Sequence, residues 1–145
     1  GLKLKGVAII ERRRKDGTVI DQEIVDNIVV VDGKERTAKL LGGLSTDFFT
    51  HIAIGTGTTA ATNSDSALET EYTREAATIA YEASYKIKFE KTFSVASGVS
   101  EIITEAGLTD DAVVSGSILL DRFVFSPKTL DGDNPLFIKI TITVS

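Results

Sequence analysis

Residues 51–74, HIAIGTGTTAATNSDSALETEYTR, decide how the chain is read. His51 to Ile54 alternates polar and apolar side chains, the period of a half-buried strand. Gly55 and Gly57 break that strand, because glycine reaches backbone angles closed to other residues. Residues 58–65 are small and polar with little to bury, which predicts a surface loop. Ser66, with Glu69 three positions later, has the spacing of a capping box. Leu68 and Tyr72 would share one helical face. Glu69 and Glu71 fall near the start and Arg74 near the end, as a helix dipole prefers. A short helix is therefore predicted over 66–74. The glycines do not form a phosphate loop: no Lys occurs between Lys39 and Lys86, and a polar segment separates the turn from the helix that a dinucleotide fingerprint requires.

On the N-terminal side, residues 2–11 read as a strand and 18–25 as a second, with Asp16-Gly17 between them, a strong hairpin signal. The basic run Arg12, Arg13, Arg14 and Lys15 falls at the hairpin tip. Residues 27–31 form a short β-branched run. Asp32 and Glu35 repeat the capping spacing, Glu35 and Lys39 are an i, i+4 pair, and Ala38, Leu40 and Leu41 offer a buried side. Gly42-Gly43 supplies the stop, so a helix of roughly ten residues is expected there.

On the C-terminal side the pattern turns to β. A strand begins near Thr78. Tyr85, Ile87 and Phe89 alternate with Lys86, Lys88 and Glu90, and Lys91 suggests a bulge or strand end. Ser97-Gly98 marks a turn before Ile102 and Ile103. Residues 118–125 fit a strand buried on both faces, ended by Ser126-Pro127 because proline lacks the ladder donor. The run 130–135, LDGDNP, is a dense turn. Ile138, Ile140, Ile142 and Val144 form the cleanest strand of all. Seven to nine strands, two short helices and regularly spaced turns predict a mainly β, antiparallel sandwich of jelly-roll type. The 145 residues form a single domain, with 1–6 as a candidate N-terminal arm.

The 145-residue chain has no Cys, Met or Trp and a net charge of −5. Thiol catalysis, disulfides and thiolate metal sites are excluded. The acidic balance argues against broad nucleic-acid binding. No apolar run reaches the roughly 18 residues of a membrane span, and no basic, apolar leader is present. His51 is the lone histidine, so no histidine cluster exists. Asp131, Asp133 and Asn134 crowd oxygen atoms, but Pro135 breaks a calcium-loop pattern. No serine sits in a nucleophile elbow. No catalytic, cofactor-binding or metal-binding residue is nominated, and an enzyme is not expected. What remains is surface for assembly. The candidate contacts are Leu2, Lys3, Leu4 and Lys5, whose strand would add to a neighbour's sheet edge; Arg12, Arg13, Arg14 and Lys15, reaching an acidic neighbour; and Thr58, Thr59 and Asn63 in the polar loop.

The segment IAIGTGTTAATNSDSALETEYTR, with EAGL at 105–108, SGSILLDRFVFSPKTL at 115–130 and the closing FIKITITVS, resembles small structural proteins of tailed bacteriophages. The resemblance spans about residues 32–145. It implies a virion protein without cofactor or catalysis, partnered by the major capsid protein or other virion proteins, as a homo-oligomer, with a trimer as the expected order. Head decoration (cement) is the leading expectation, because the chain is one domain without a fibrous repeat or a receptor-binding lobe. A tail or tail-fibre component is the alternative. A carbohydrate-binding β-sandwich is a third reading, disfavoured because Trp is absent and most Phe and Tyr fall at core positions.

Overall fold

A computed structural model describes residues 3–145, and Leu2 of the candidate arm lies outside them. Among the described residues there are nine strands and one helix: β1 (Leu4–Arg13), β2 (Val19–Val29), α1 (Val31–Leu41), β3 (His51–Gly55), β4 (Glu71–Ala76), β5 (Thr78–Glu82), β6 (Lys86–Phe93), β7 (Ser100–Thr109), β8 (Leu119–Asp131) and β9 (Leu136–Val144). All pair antiparallel in one sheet of order β4-β3-β7-β8-β2-β1-β9-β6-β5. The two edge strands, β4 and β5, are joined through Ala77, so the sheet curls into a nearly closed barrel. The mainly β, antiparallel class is as expected, and its strands form one continuous sheet. Its thinnest seam is β2–β8, where only Ile28↔Arg122 and Val29↔Asp121 pair.

Alternation explains the core. Ala8 and Ile10 of β1, Ile138, Ile140 and Ile142 of β9, and Phe89 and Phe93 of β6 face inward from one half of the sheet. They meet Ile52 and Ile54 of β3, Ala106 and Leu108 of β7, and Phe123 and Phe125 of β8 from the other half, in a single cluster. Burying a side chain of this size contributes roughly 1.5–3 kcal/mol.

Several sequence expectations change. The hairpin at Asp16-Gly17 forms, with Gly17 at φ 90°, and the run at 27–31 continues the second strand as far as Val29 rather than standing alone. The strand at 86–93 passes Lys91 without interruption, in register with β9 from Lys86↔Thr143 to Phe93↔Leu136. Strand β8 runs through Ser126-Pro127 because the β7–β8 register shifts there, between Ile103↔Lys128 and Glu105↔Val124; proline is tolerated at such an irregularity.

The first helix forms without the expected cap, and of its expected buried side Leu40 packs, half-buried, against the core while Ala38 and Leu41 are exposed. Val30 is the N-cap and no side chain caps it. Leu41 is 84% exposed, and the residue that is buried is Gly33. A Cβ on Gly33 would lie 2.5 Å from the Leu120 carbonyl oxygen, so the helix backbone rests directly on β8. The stop is as expected: Gly43 takes φ 73°, with Leu44 N–H bonded to Lys39 C=O at 2.8 Å and Gly43 N–H to Leu40 C=O at 3.2 Å, a Schellman closure.

The second helix does not form. Residues 66–70 are irregular and 71–76 are strand β4, paired with β3 from His51↔Ala76 to Gly55↔Glu71. Tertiary partners capture the groups that a helix would have used.

Candidate functional site

The loop between β3 and β4, residues 56–70, folds over the outer face of β3, β7 and β8. Its anchor is Glu105, which is fully buried. The Glu105 carboxylate accepts from the backbone N–H groups of Gly57 at 2.7 Å, Glu69 at 2.8 Å and Thr70 at 2.8 Å, and from Arg122 Nε at 2.9 Å. Arg122, 2% exposed, donates onward to Asp65 Oδ2 at 3.0 Å and to the Thr59 carbonyl at 2.9 Å. Thr104 Oγ1 donates to the Gly57 carbonyl at 2.7 Å. A buried carboxylate and guanidinium are costly unless every lone pair and N–H finds a partner; here the loop backbone supplies those partners.

The rest of the loop locks onto this pair. Glu69, expected as a helix-capping residue, instead accepts from Thr58 N–H at 2.8 Å and Thr59 N–H at 3.2 Å, and also from the Thr59 hydroxyl. These bonds, that from the Thr59 hydroxyl foremost, hold its carboxyl below the usual range. Burial acts to raise the Asp65 carboxyl, but hydrogen bonds from Thr62 and Arg122 outweigh it and the net shift is downward. Leu68 closes a small second cluster with Val30, Ala53 and Leu119. Gly55 and Gly57 serve close approach: a Cβ on Gly55 would lie 2.3 Å from the Thr70 carbonyl oxygen, and one on Gly57 2.4 Å from the Glu105 carboxylate. The turn reading of these glycines, based on special backbone angles, is corrected to one based on space.

The other nominated residues are scattered. Lys3, Leu4 and Lys5 lie at the start of β1, and Arg12 to Lys15 at its far end. At roughly 3.3 Å per residue these sets are on the order of 30 Å apart. Leu4 and Lys5 are paired with Val144 and Thr143 of β9, and Lys3 N–H bonds to the Ser145 carbonyl, so the described part of the candidate arm is held in the sheet. Arg12 closes the far barrel end, donating to the Thr129 carbonyl at 2.8 Å and Asn134 Oδ1 at 2.9 Å. Arg13 stacks 3.8 Å from the Phe137 ring centroid and pairs with Glu11. Arg14 and Lys15 remain exposed at the tip. Thr58, Thr59 and Asn63 are exposed on the pinned loop, with the Asn63 carbonyl accepting from Val31 N–H at 2.8 Å.

Arg74, expected at a helix end, ties β4 to the 110–117 loop: Nη1 donates to the Asp111 carbonyl at 3.0 Å and Ser117 Oγ at 3.1 Å. The Asp131 carboxylate accepts from Asp133 and Asn134 N–H, each at 2.9 Å, and so shapes the 130–135 turn. Among the described residues no group of three or more His, Cys, Asp or Glu is placed to hold a metal ion. The Thr50 hydroxyl lies 2.8 Å from His51 Nδ1.

Glu105 and Arg122 were not nominated as functional residues from the sequence. The available signal was a lone acid in ITEAGL and a lone base in LLDRFVF, charges inside otherwise apolar strands that must be paired when buried. No family model, curated protein or solved structure matches the chain.

Proposed function

We propose that the protein is a structural component of a bacteriophage virion, with capsid decoration as the leading role. The observation that carries this reading is the way the segments bearing the phage-protein resemblance come together. The glycine turn and loop of 51–74, Glu105 of EAGL and Arg122 of LLDRFVF form one buried hydrogen-bonded unit. A motif set dispersed over about seventy residues thus has one physical purpose: to hold a long polar loop rigid on the outside of a barrel. A rigid, pre-ordered loop suits a building block, because little conformational entropy is lost when it is fixed against a neighbour. A sandwich-like description belongs to the same reading, since the two halves of the sheet share one core.

In this role each copy bridges shell subunits and stabilises the assembled state by binding it alone. The contacts are Thr58, Thr59 and Asn63 on the loop, Arg14 and Lys15 at the hairpin tip, and Lys3 and Lys5 beside the sheet terminus. The partner is the major capsid protein or another virion protein, and the protein itself is a homo-oligomer. Capsids with and without the protein are compared by thermal release of the genome; a higher release temperature with the protein supports cementing, and equal temperatures overturn it. Immunogold labelling separates the head from the tail reading by position.

A further inference from the structure

We propose that the barrel end beside α1 is a binding site for a long-chain carboxylate, the fatty-acid class of ligand. The site follows from how the strands part. Strand β2 stays with β1 only as far as Gly6↔Asn27. It then turns to β8 through Ile28 and Val29, while Leu4 and Lys5 continue along β9. The gap is a cavity of about 500 Å³, within the roughly 300–1,000 Å³ of small-molecule sites. Its floor is the buried Phe49, Phe89, Leu120 and Ile142, and its mouth includes Phe48, 64% exposed, and Ile79, 41% exposed. A second cavity of about 610 Å³ runs along α1 from Leu4, Thr37 and Val144, residues that line both.

Two observations select the ligand. Thr37 and Thr50 line the first cavity, and both hydroxyls already have partners: Thr37 Oγ1 donates to the Gly33 carbonyl at 2.8 Å, and Thr50 Oγ1 lies 2.8 Å from His51 Nδ1. A peptide backbone pressed onto this floor would find no free hydroxyl on the protein side for its N–H and C=O groups; an alkyl chain has none to satisfy. The lining of the first cavity is almost wholly apolar, which favours contact with an alkyl chain over contact with water. The charged residues among those lining the two cavities are Lys3 and Lys34, and neither ammonium is in an ion pair among the described residues. An apolar bore ending at two free cations fits a molecule with one long tail and one anionic head. This assignment is independent of the virion reading.

The test is a methyl-region NMR titration of the full chain with sodium decanoate and, in parallel, neutral 1-decanol. Saturable shifts at Ile79, Ile87 and Ile142, with decanoate bound more tightly than decanol, are expected. The double substitution Lys3→Glu/Lys34→Glu, on exposed side chains, should weaken decanoate about tenfold and leave decanol unchanged, the scale of losing two exposed charge contacts. The proposal is overturned by an absence of saturable shifts, by shifts confined to other residues, or by decanoate binding that ignores the lysine substitutions. It is equally overturned if the Ile79, Ile87 and Ile142 methyl signals shift with protein concentration in the absence of decanoate, since a second copy would then cover this end.

Discussion

Glu105 and Arg122 carry more of the local structure than any other pair, and the reason is the number of groups left stranded when either is removed. Glu105→Ala leaves three loop N–H groups without their acceptor and a guanidinium that is 2% exposed without its buried carboxylate. The expected loss is about 3–5 kcal/mol, the range for breaking a buried pair from one side, read as a fall in the urea midpoint. In a double-mutant cycle, Glu105→Gln with Arg122→Met should cost less than the sum of the single changes, because the two share one network. Strict additivity in urea unfolding would mean that the pair is not coupled.

At the scale of the element, two glycines of the α1 region separate steric from conformational demands. Gly33→Ala drives a methyl to 2.5 Å from a backbone oxygen of β8 and 2.6 Å from its Cα at Leu120, neither of which is a flexible side-chain end. The helix must lift, with an expected loss of about 1–3 kcal/mol for overpacking and faster proteolysis across 31–50. Gly43→Ala meets no atom within 4 Å but must adopt φ 73°; its cost should be the left-handed penalty alone, about 1–2 kcal/mol, with proteolysis little changed. Equal proteolytic profiles for the two variants would remove the claim that α1 rests on β8 through its backbone. The 56–70 loop responds to acid instead. The Asp65 and Glu69 carboxyls are held below their ordinary values of 3.8 and 4.5. Their support is therefore complete above those values and lost as pH falls through the lower, folded-state ones. The protection of the Thr58 and Thr59 amides against hydrogen exchange, taken relative to their intrinsic rates at each pH, should fall selectively on acidification below about pH 4.

For the whole molecule, the telling group is Asp121, because it sits at the thin β2–β8 seam that joins the halves of the sheet. It is fully buried, accepting from Asn27 Nδ2 at 2.5 Å and Leu108 N–H at 3.0 Å. Burial pushes its carboxyl up to about 6 from 3.8, against those two hydrogen bonds. The folded chain therefore holds this proton more tightly than the unfolded chain. As pH rises from about 4 to 6 this group subtracts stability, and above that range the deficit is constant at about 3 kcal/mol. Asp121→Asn should stabilise the protein at pH 8 by up to that amount and flatten the pH 4–6 part of the stability curve. With the Asn27 amide turned over, the introduced amide donates to Asn27 Oδ1, which has no partner among the described residues, in exchange for the bond that Asn27 Nδ2 now makes. A variant less stable than the parent at pH 8, by urea unfolding, would reverse the assignment. Gly6 belongs to the same seam: a Cβ there would lie 2.9 Å from Asn27 Cβ, so Gly6→Ala should displace Asn27.

The sequence by itself determined the local periods: the strands along β1, β6 and β9, the hairpin at Asp16-Gly17, the glycine stop at Gly43 and the mainly antiparallel β class. These follow from side-chain alternation and backbone angles, which neighbouring residues set among themselves. It did not determine what became of residues 66–74, because the helix signal of Ser66, Glu69 and Arg74 competed with partners distant in the chain: the Glu105 carboxylate for two N–H groups, strand β3 for the backbone of 71–76, and the 110–117 loop for the guanidinium. The roles of Gly33, Gly55 and Gly57, the curling of the strands into one nearly closed sheet, and the open apolar end beside α1 were decided in the same way. Each depends on which surfaces meet across the core, and a pattern confined to a few neighbouring residues holds no record of that meeting.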